Sequence, residues 1–149
     1  MPIDDHERAR RRQLIREHYA AENANDLDRI MATFSPTGEM IYNRQSFPES
    51  ESIRLAHGYI GFAAAAGAFT GIRNVIDREH FTADEIVIEG RLCATHTGEF
   101  QGFPPSGRVV ELPFVSFYRF EADGKLSSER VVMNLGSLGA TPAWQPSGA

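Results

Sequence analysis

The groups able to move a proton or hold an anion are few and scattered. The histidines are His6, His18, His57, His80 and His96. None has another histidine two to four residues away, so no local metal site is expected. Cys93, the sole cysteine, excludes an internal disulfide and a cysteine-only metal centre. No phosphate loop, dinucleotide fingerprint, zinc-protease helix or Gly-x-Ser-x-Gly elbow occurs. The expectation is an enzyme without metal or cofactor, or a binding protein. His96 suits proton transfer, because an imidazole titrates near ~6.5. Its ring meets a cavity if Leu92, Ala94 and His96 share the concave face of a strand. Its competing role is a bond to the neighbouring loop that fixes the Pro104–Pro105 turn. Arg130, counted on the same strand face as Leu126, Ser128 and Val132, would need an anionic or carbonyl partner if buried. That partner is a substrate oxygen, or an acid such as Glu99 or Glu111. Tyr42 and His57 flank a polar segment suited to cover a cavity mouth, where Tyr42 either donates to a carbonyl or packs in the core. Phe114, Phe117, Tyr118 and Phe120 read as core and pocket wall. Asp77 and His80, three apart on one strand, face opposite sides. Cys93 alternates against His96 and faces away.

The elements that must position these groups follow from periodicity. Asp4 or Asp5 caps a first helix running to about Ala24, with Leu14, Ile15, His18 and Tyr19 as its apolar stripe. Arg8, Arg10, Arg11, Arg12 and Arg16 crowd this helix and read as a solvated face. Asn25 or Asp26 caps a second helix with Leu27, Ile30, Met31 and Phe34 on one side, stopped by Ser35-Pro36-Thr37-Gly38. Glu39 to Tyr42 reads as a strand, Asn43 to His57 as a polar loop, and Gly58 to Phe69 as a third helix. Four strands follow: Ile72 to Phe81, Glu85 to Phe100, Val109 to Phe120 and Leu126 to Met133. Asp123-Gly124 marks the last hairpin, and Gly90 marks a bulge or bend. Helices followed by hairpin-linked strands predict an α+β domain with a bent antiparallel sheet and a cavity on its concave side.

Composition agrees. The chain has 149 residues, 42% apolar and 23% charged, enough for one domain. A net charge of −5 argues against a nucleic-acid partner. No apolar stretch approaches the ~20 residues of a membrane span. No secretion signal opens the chain, so a cytoplasmic protein is the expectation. Residues 1–138 form one expected domain, and residues 139–149 a loose tail.

One stretch is distinctive: Thr95-His96-Thr97-Gly98-Glu99-Phe100, then Gly102-Phe103-Pro104-Pro105-Ser106-Gly107-Arg108. It is followed by Phe117-Tyr118-Arg119-Phe120, Gly124-Lys125-Leu126 and Ser128-Glu129-Arg130. This resembles the SnoaL-like polyketide cyclases of the nuclear transport factor 2-like superfamily, over roughly Leu27 to Leu138. The resemblance implies a cone of three N-terminal helices packed on a strongly curved antiparallel sheet. It also implies a homodimer and an apolar pocket for a carbonyl-bearing ligand. The implied reaction is cofactor-independent enolate or aldol chemistry, of the lyase or isomerase type. The family's catalytic Asp falls on Asn134, and a histidine carried by some members falls nearest Arg119. An amide can hold an enol oxygen but cannot exchange its proton near neutral pH. His96 then becomes the proton-moving candidate, with Asn134 and Arg130 holding the enolate. Two other roles fit the same cone: a ligand-binding member that has lost catalysis, and a dehydratase or hydrolase using His96 with Tyr42.

Overall fold

The computed structural model describes residues 3–139, so the expected tail lies almost wholly outside the described residues. Helix α1 spans Asp5–Asn23, capped by the Asp4 carboxylate, which accepts from the Glu7 amide at 2.7 Å. Acidic Asp5 and Glu7 in its first turn suit the helix dipole. Its arginines bind locally: Arg10 and Arg11 pair with Glu7, Arg12 and Arg16 approach Glu79, and Arg8 and Arg11 lie over Phe81 and Phe120. Helix α2 is short, Leu27–Met31, with Asp26 accepting from the Arg29 amide.

Phe34, expected on the α2 stripe, instead opens strand β1, Phe34–Tyr42. The Ser35–Gly38 segment is therefore a strand irregularity and not a helix stop. Pairing with the last strand jumps from Phe34↔Leu126 to Glu39↔Ser128, and Pro36, which has no N–H, sits within the jump. The expected loop over Asn43 to His57 is structured. Asn43 and Arg44 both have positive φ (46° and 72°) and make a two-residue hairpin into β2, Gln45–Pro48. Helix α3 follows at Glu49–Ile60, burying Ile53, Ala56, His57 and Ile60. The expected helix over Gly58 to Phe69 thus belongs one segment earlier. Ala63-Ala64-Ala65 lies in bends, and Ala66 in no regular element, despite the high helix propensity of the run. Gly61 ends α3 at φ 128°, and a side chain on Gly67 would meet the Gly61 Cα at 2.5 Å. Only paired glycines allow that turn.

Strands β3 (Phe69–Phe81), β4 (Glu85–His96), β5 (Val109–Phe120) and β6 (Leu126–Met133) complete a six-stranded sheet in the order β2-β1-β6-β5-β4-β3. β4 stops at His96, short of the expected Phe100. The sheet is mixed, because β1 runs parallel to β6 while the other pairs are antiparallel. Gly90 marks a close approach: a Cβ there would meet Val75 O at 2.6 Å and the Phe114 ring at 2.7 Å. One of the two register slips between β3 and β4 lies opposite, in β3 between Ile76 and Arg78. A further slip, between β5 and β6, pairs Phe120 with Leu126 but Arg119 with Ser128, leaving Ser127 as an extra residue. That bulge reverses the facing of β6. Beyond it Glu129, Val131 and Met133 are buried and Arg130, Val132 and Asn134 are exposed. The core lies between the concave sheet face and the helices. Among the described residues, no helix is long and apolar enough to cross a membrane.

Candidate active site

Three elements converge under the concave face. α1 supplies His18 and Glu22, one helical turn apart; α3 supplies His57; β6 supplies Glu129, turned inward by the Ser127 bulge. All four are buried. His18 Nε2 stands 2.6 Å from Glu22 Oε1 and 2.8 Å from Glu129 Oε2, and His57 Nε2 stands 3.4 Å from Glu129 Oε1. Asn74 on β3 donates to Glu22 Oε2 at 3.1 Å, and is itself held by the Asn23 side chain through its backbone.

The far nitrogens of both rings are fixed. Thr33 Oγ1 donates its proton to Ile30 O at 2.6 Å, so toward His18 Nδ1, 2.8 Å away, it can only accept. His57 Nδ1 faces Ile53 O at 2.9 Å, and a carbonyl can only accept. Both histidines therefore carry hydrogen on Nδ1, and both Nε2 atoms face the acids. Burial opposes charge on His18, but Glu129 and Glu22 outweigh it and hold the imidazolium up to about 10. Burial likewise opposes charge on Glu129, yet His18, with a smaller contribution from His57, holds that carboxyl well below the usual range.

The cluster borders a narrow apolar chamber walled by Tyr19, Tyr42, Phe114, Tyr118 and Met133. Its free space is about 20 Å³, enough for one water. Tyr118 donates to the Tyr19 hydroxyl at 2.7 Å, and Tyr42 to Met133 Sδ at 2.9 Å. Burial pushes all three phenols up, so they remain neutral donors. Tyr42 also borders an open groove of about 350 Å³ formed with Phe47, Leu55, Ala56, Tyr59 and Gln101.

Of the candidate site and pocket-wall residues singled out in the sequence, Tyr42, His57, Phe114 and Tyr118 line the narrow chamber. His96 is buried but does not line it. Its Nδ1 lies 3.1 Å from Ser106 Oγ and accepts from the Ser106 amide at 3.3 Å, and its ring lies against Phe69, so it anchors the 97–108 loop. Arg130 is outside, 4.3 Å over the Phe117 ring, and Arg119 is outside beside Glu85. Asn134 is outside too, its Oδ1 accepting from the Gly136 amide at 2.8 Å. Sequence reasoning does not single out Glu22, Asn74 and Glu129, and takes His18 only as core. The i,i+4 spacing of His18 and Glu22 on the apolar side of α1 is the available signal. Among the described residues, the four histidine and glutamate donors lie within 4.8 Å of one another. They come from distant segments, which the local spacing of histidines does not register.

The SnoaL-like domain model matches residues 15–129. A search of curated proteins gave no match. Many solved structures share the fold. A protein from Jannaschia sp. CCS1, provisionally named a SnoaL-like polyketide cyclase, is 21% identical with a TM-score of 0.74, over 87% of this chain and 89% of its own. AclR from Streptomyces galilaeus, provisionally named a hydroxylase, is 28% identical with a TM-score of 0.71, over 90% of this chain and 98% of its own. SalBIII, described as an epoxide hydrolase/cyclase-like enzyme in pyran ring formation in the polyether salinomycin, is 14% identical with a TM-score of 0.68, over 86% of this chain and 93% of its own. With a family model spanning three quarters of its length and the element order of the nuclear transport factor 2-like cone, the chain belongs to the SnoaL-like domain family.

Proposed function

We propose that the protein transfers protons on an apolar carbonyl compound, as a cyclase or isomerase does when it forms an enolate. One observation carries this reading. Two carboxyl groups flank the His18 imidazole, which they hold protonated, at the wall of an apolar chamber with room for about one water. Glu129 is held ionised by His18. Its Oε1 is buried with no hydrogen bond in line and the His57 nitrogen at 3.4 Å, so this oxygen is the acceptor offered to a proton on carbon next to a carbonyl, although the nearby imidazolium weakens it as a base. The Tyr19 hydroxyl accepts from Tyr118, which leaves its own hydrogen for the oxygen on which charge develops. The chamber admits only the reacting end of such a molecule. Its apolar body would lie in the groove that shares Tyr42. The reactions named for SalBIII and the Jannaschia protein support ring closure as the outcome.

The test is exchange of carbon-bound hydrogen in deuterated water, followed by NMR over a panel of cyclic ketones and β-keto esters. The wild-type chain should label the carbon next to the carbonyl in at least one compound. Glu129→Gln should slow labelling by roughly 10²–10⁴, the usual worth of a general base. No labelling of any compound by the folded wild-type chain, or equal labelling by the variant, would overturn the reading.

A further inference from the structure

We infer that His18, Glu22, His57 and Glu129 form a binding site for one divalent first-row metal ion of the zinc type. It engages the same side chains as the proton-transfer reading but does not rest on it: with an ion bound, His18 Nε2 carries no proton and Glu129 is a ligand, so the metal-filled chain and the proton-transferring chain are alternative states of one chamber.

The first ground is the orientation of the rings. Each Nδ1 donates to an atom that can only accept: Thr33 Oγ1 for His18 and Ile53 O for His57. This is how metal-bound histidines are held, with the second nitrogen fixed so that the first presents its lone pair. Both Nε2 atoms then converge on the same two carboxylates, and none of the four donors is more than 4.8 Å from another.

The second ground is unmet polarity. Two carboxylate oxygens crowd His18 Nε2 at 2.6 and 2.8 Å, yet neither lies in line for a hydrogen bond. Glu129 Oε1 is likewise buried and unpartnered, with the His57 nitrogen at 3.4 Å. Buried atoms of this kind demand a partner. A proton on His18 answers one negative charge and one direction. A divalent cation answers both carboxylates and both ring nitrogens together.

The third ground is size and chemistry. Donors about 2.0–2.1 Å from a tetrahedral zinc ion stand about 3.3–3.4 Å apart. The 3.4 Å contact already has that spacing, the 2.6 and 2.8 Å contacts would open by about 0.5–0.8 Å, and the wider separations, none beyond 4.8 Å, would close around the ion. Two imidazoles with two carboxylates suit zinc, iron or manganese better than calcium or magnesium, which prefer oxygen alone. The chamber space of about 20 Å³ beside Glu22, His57 and Glu129 would leave one position open to a water.

The test uses the full chain, treated with EDTA and dialysed, then titrated with Co²⁺. We expect visible absorption bands that saturate at one ion per chain, bleached by added Zn²⁺. Zn²⁺ should also raise the melting temperature of the wild type. Glu22→Gln keeps shape and the Asn74 contact and should weaken Co²⁺ binding at least tenfold; His57→Gln should do the same. Circular dichroism checks that each variant is folded. Should one be unfolded, the wild-type stoichiometry and spectrum still decide. No Co²⁺ spectrum and no Zn²⁺ shift with the folded wild-type chain at millimolar metal would overturn the inference, as would equal binding by both folded variants. Carbonyl exchange by the EDTA-treated chain is scored separately, so the two proposals can fail independently.

Discussion

Glu129 and Asn134 show how one inserted residue decides which side chains can do chemistry. Counting by twos from the buried Leu126 puts Ser128, Arg130 and Asn134 inside. The sequence alone offers no reason to break that count. The Ser127 bulge breaks it, and Glu129 enters the chamber while Arg130 and Asn134 leave it. Asn134, where the resemblance puts the family's catalytic Asp, therefore sits outside the chamber in a surface turn, its amide oxygen accepting from the Gly136 N–H. His18 and Glu22 are more legible, since their spacing is visible on a helix whose stripe the sequence reveals. What the spacing lacks is the partner from β6, over a hundred residues away. Asn134→Asp and Arg130→Ala should each leave carbonyl exchange within about twofold of wild type, because neither side chain reaches the chamber. Arg130→Ala should cost no more than about 0.5–1 kcal/mol in urea unfolding, the worth of an exposed cation–π contact. A large loss of exchange in Asn134→Asp would show that the turn at 134 shapes the site.

Elements are legible where local signals agree with the tertiary fold and illegible where they do not. β5 and β6 match their sequence bounds because alternation and the Asp123-Gly124 turn point the same way. α3 escapes the sequence reading although Ile53, Ala56, His57 and Ile60 have helical spacing, because Pro48 and the acidic residues around it read as loop. The alanine run nearby reads as helix but is overruled by the Gly61 and Gly67 contact. The parallel pairing of β1 with β6 joins strands more than eighty residues apart, and no local pattern encodes it. Two glycine substitutions test this placement of elements. Gly58 lies inside α3, and a Cβ added there would have nothing within 4 Å, so Gly58→Ala should raise stability by about 0.5–1 kcal/mol. Gly90→Ala must push against Val75 O and the Phe114 ring, and should lower stability by about 1–3 kcal/mol. Urea unfolding of both variants reads the two signs in one experiment. A destabilised Gly58→Ala would deny that residue its place inside a helix.

For the whole molecule, the chamber couples folding to pH, and the direction follows from two shifts of opposite sense. His18 is raised from 6.5 to about 10. The stability it contributes is complete below pH 6.5 and is lost as pH rises from there through about 10. Glu129 is lowered from 4.5. Its contribution is complete above pH 4.5 and is lost as pH falls toward the folded value. The groups facing this pair are Glu22 from α1, His57 from α3 and the phenols of Tyr19, Tyr42 and Tyr118. The phenols are raised by burial and stay neutral across the window. The metal-free protein, held in EDTA, should therefore be most stable between about pH 4.5 and 6.5. It should lose on the order of a few kcal/mol between pH 6.5 and 10, since each tenfold gain in proton affinity on folding is worth about 1.4 kcal/mol. This slope is not the net worth of the buried pair, because taking the charges out of water costs much of what their attraction returns. His18→Gln removes the titrating ring, so its stability should be lower at pH 6 yet nearly flat from pH 6.5 to 9. Urea unfolding at half-unit steps of pH measures both curves. A wild-type curve that is level or rising over pH 6.5 to 9, or a His18→Gln curve that falls in parallel with it, would show that the charge at the centre of the chamber is not carried by His18.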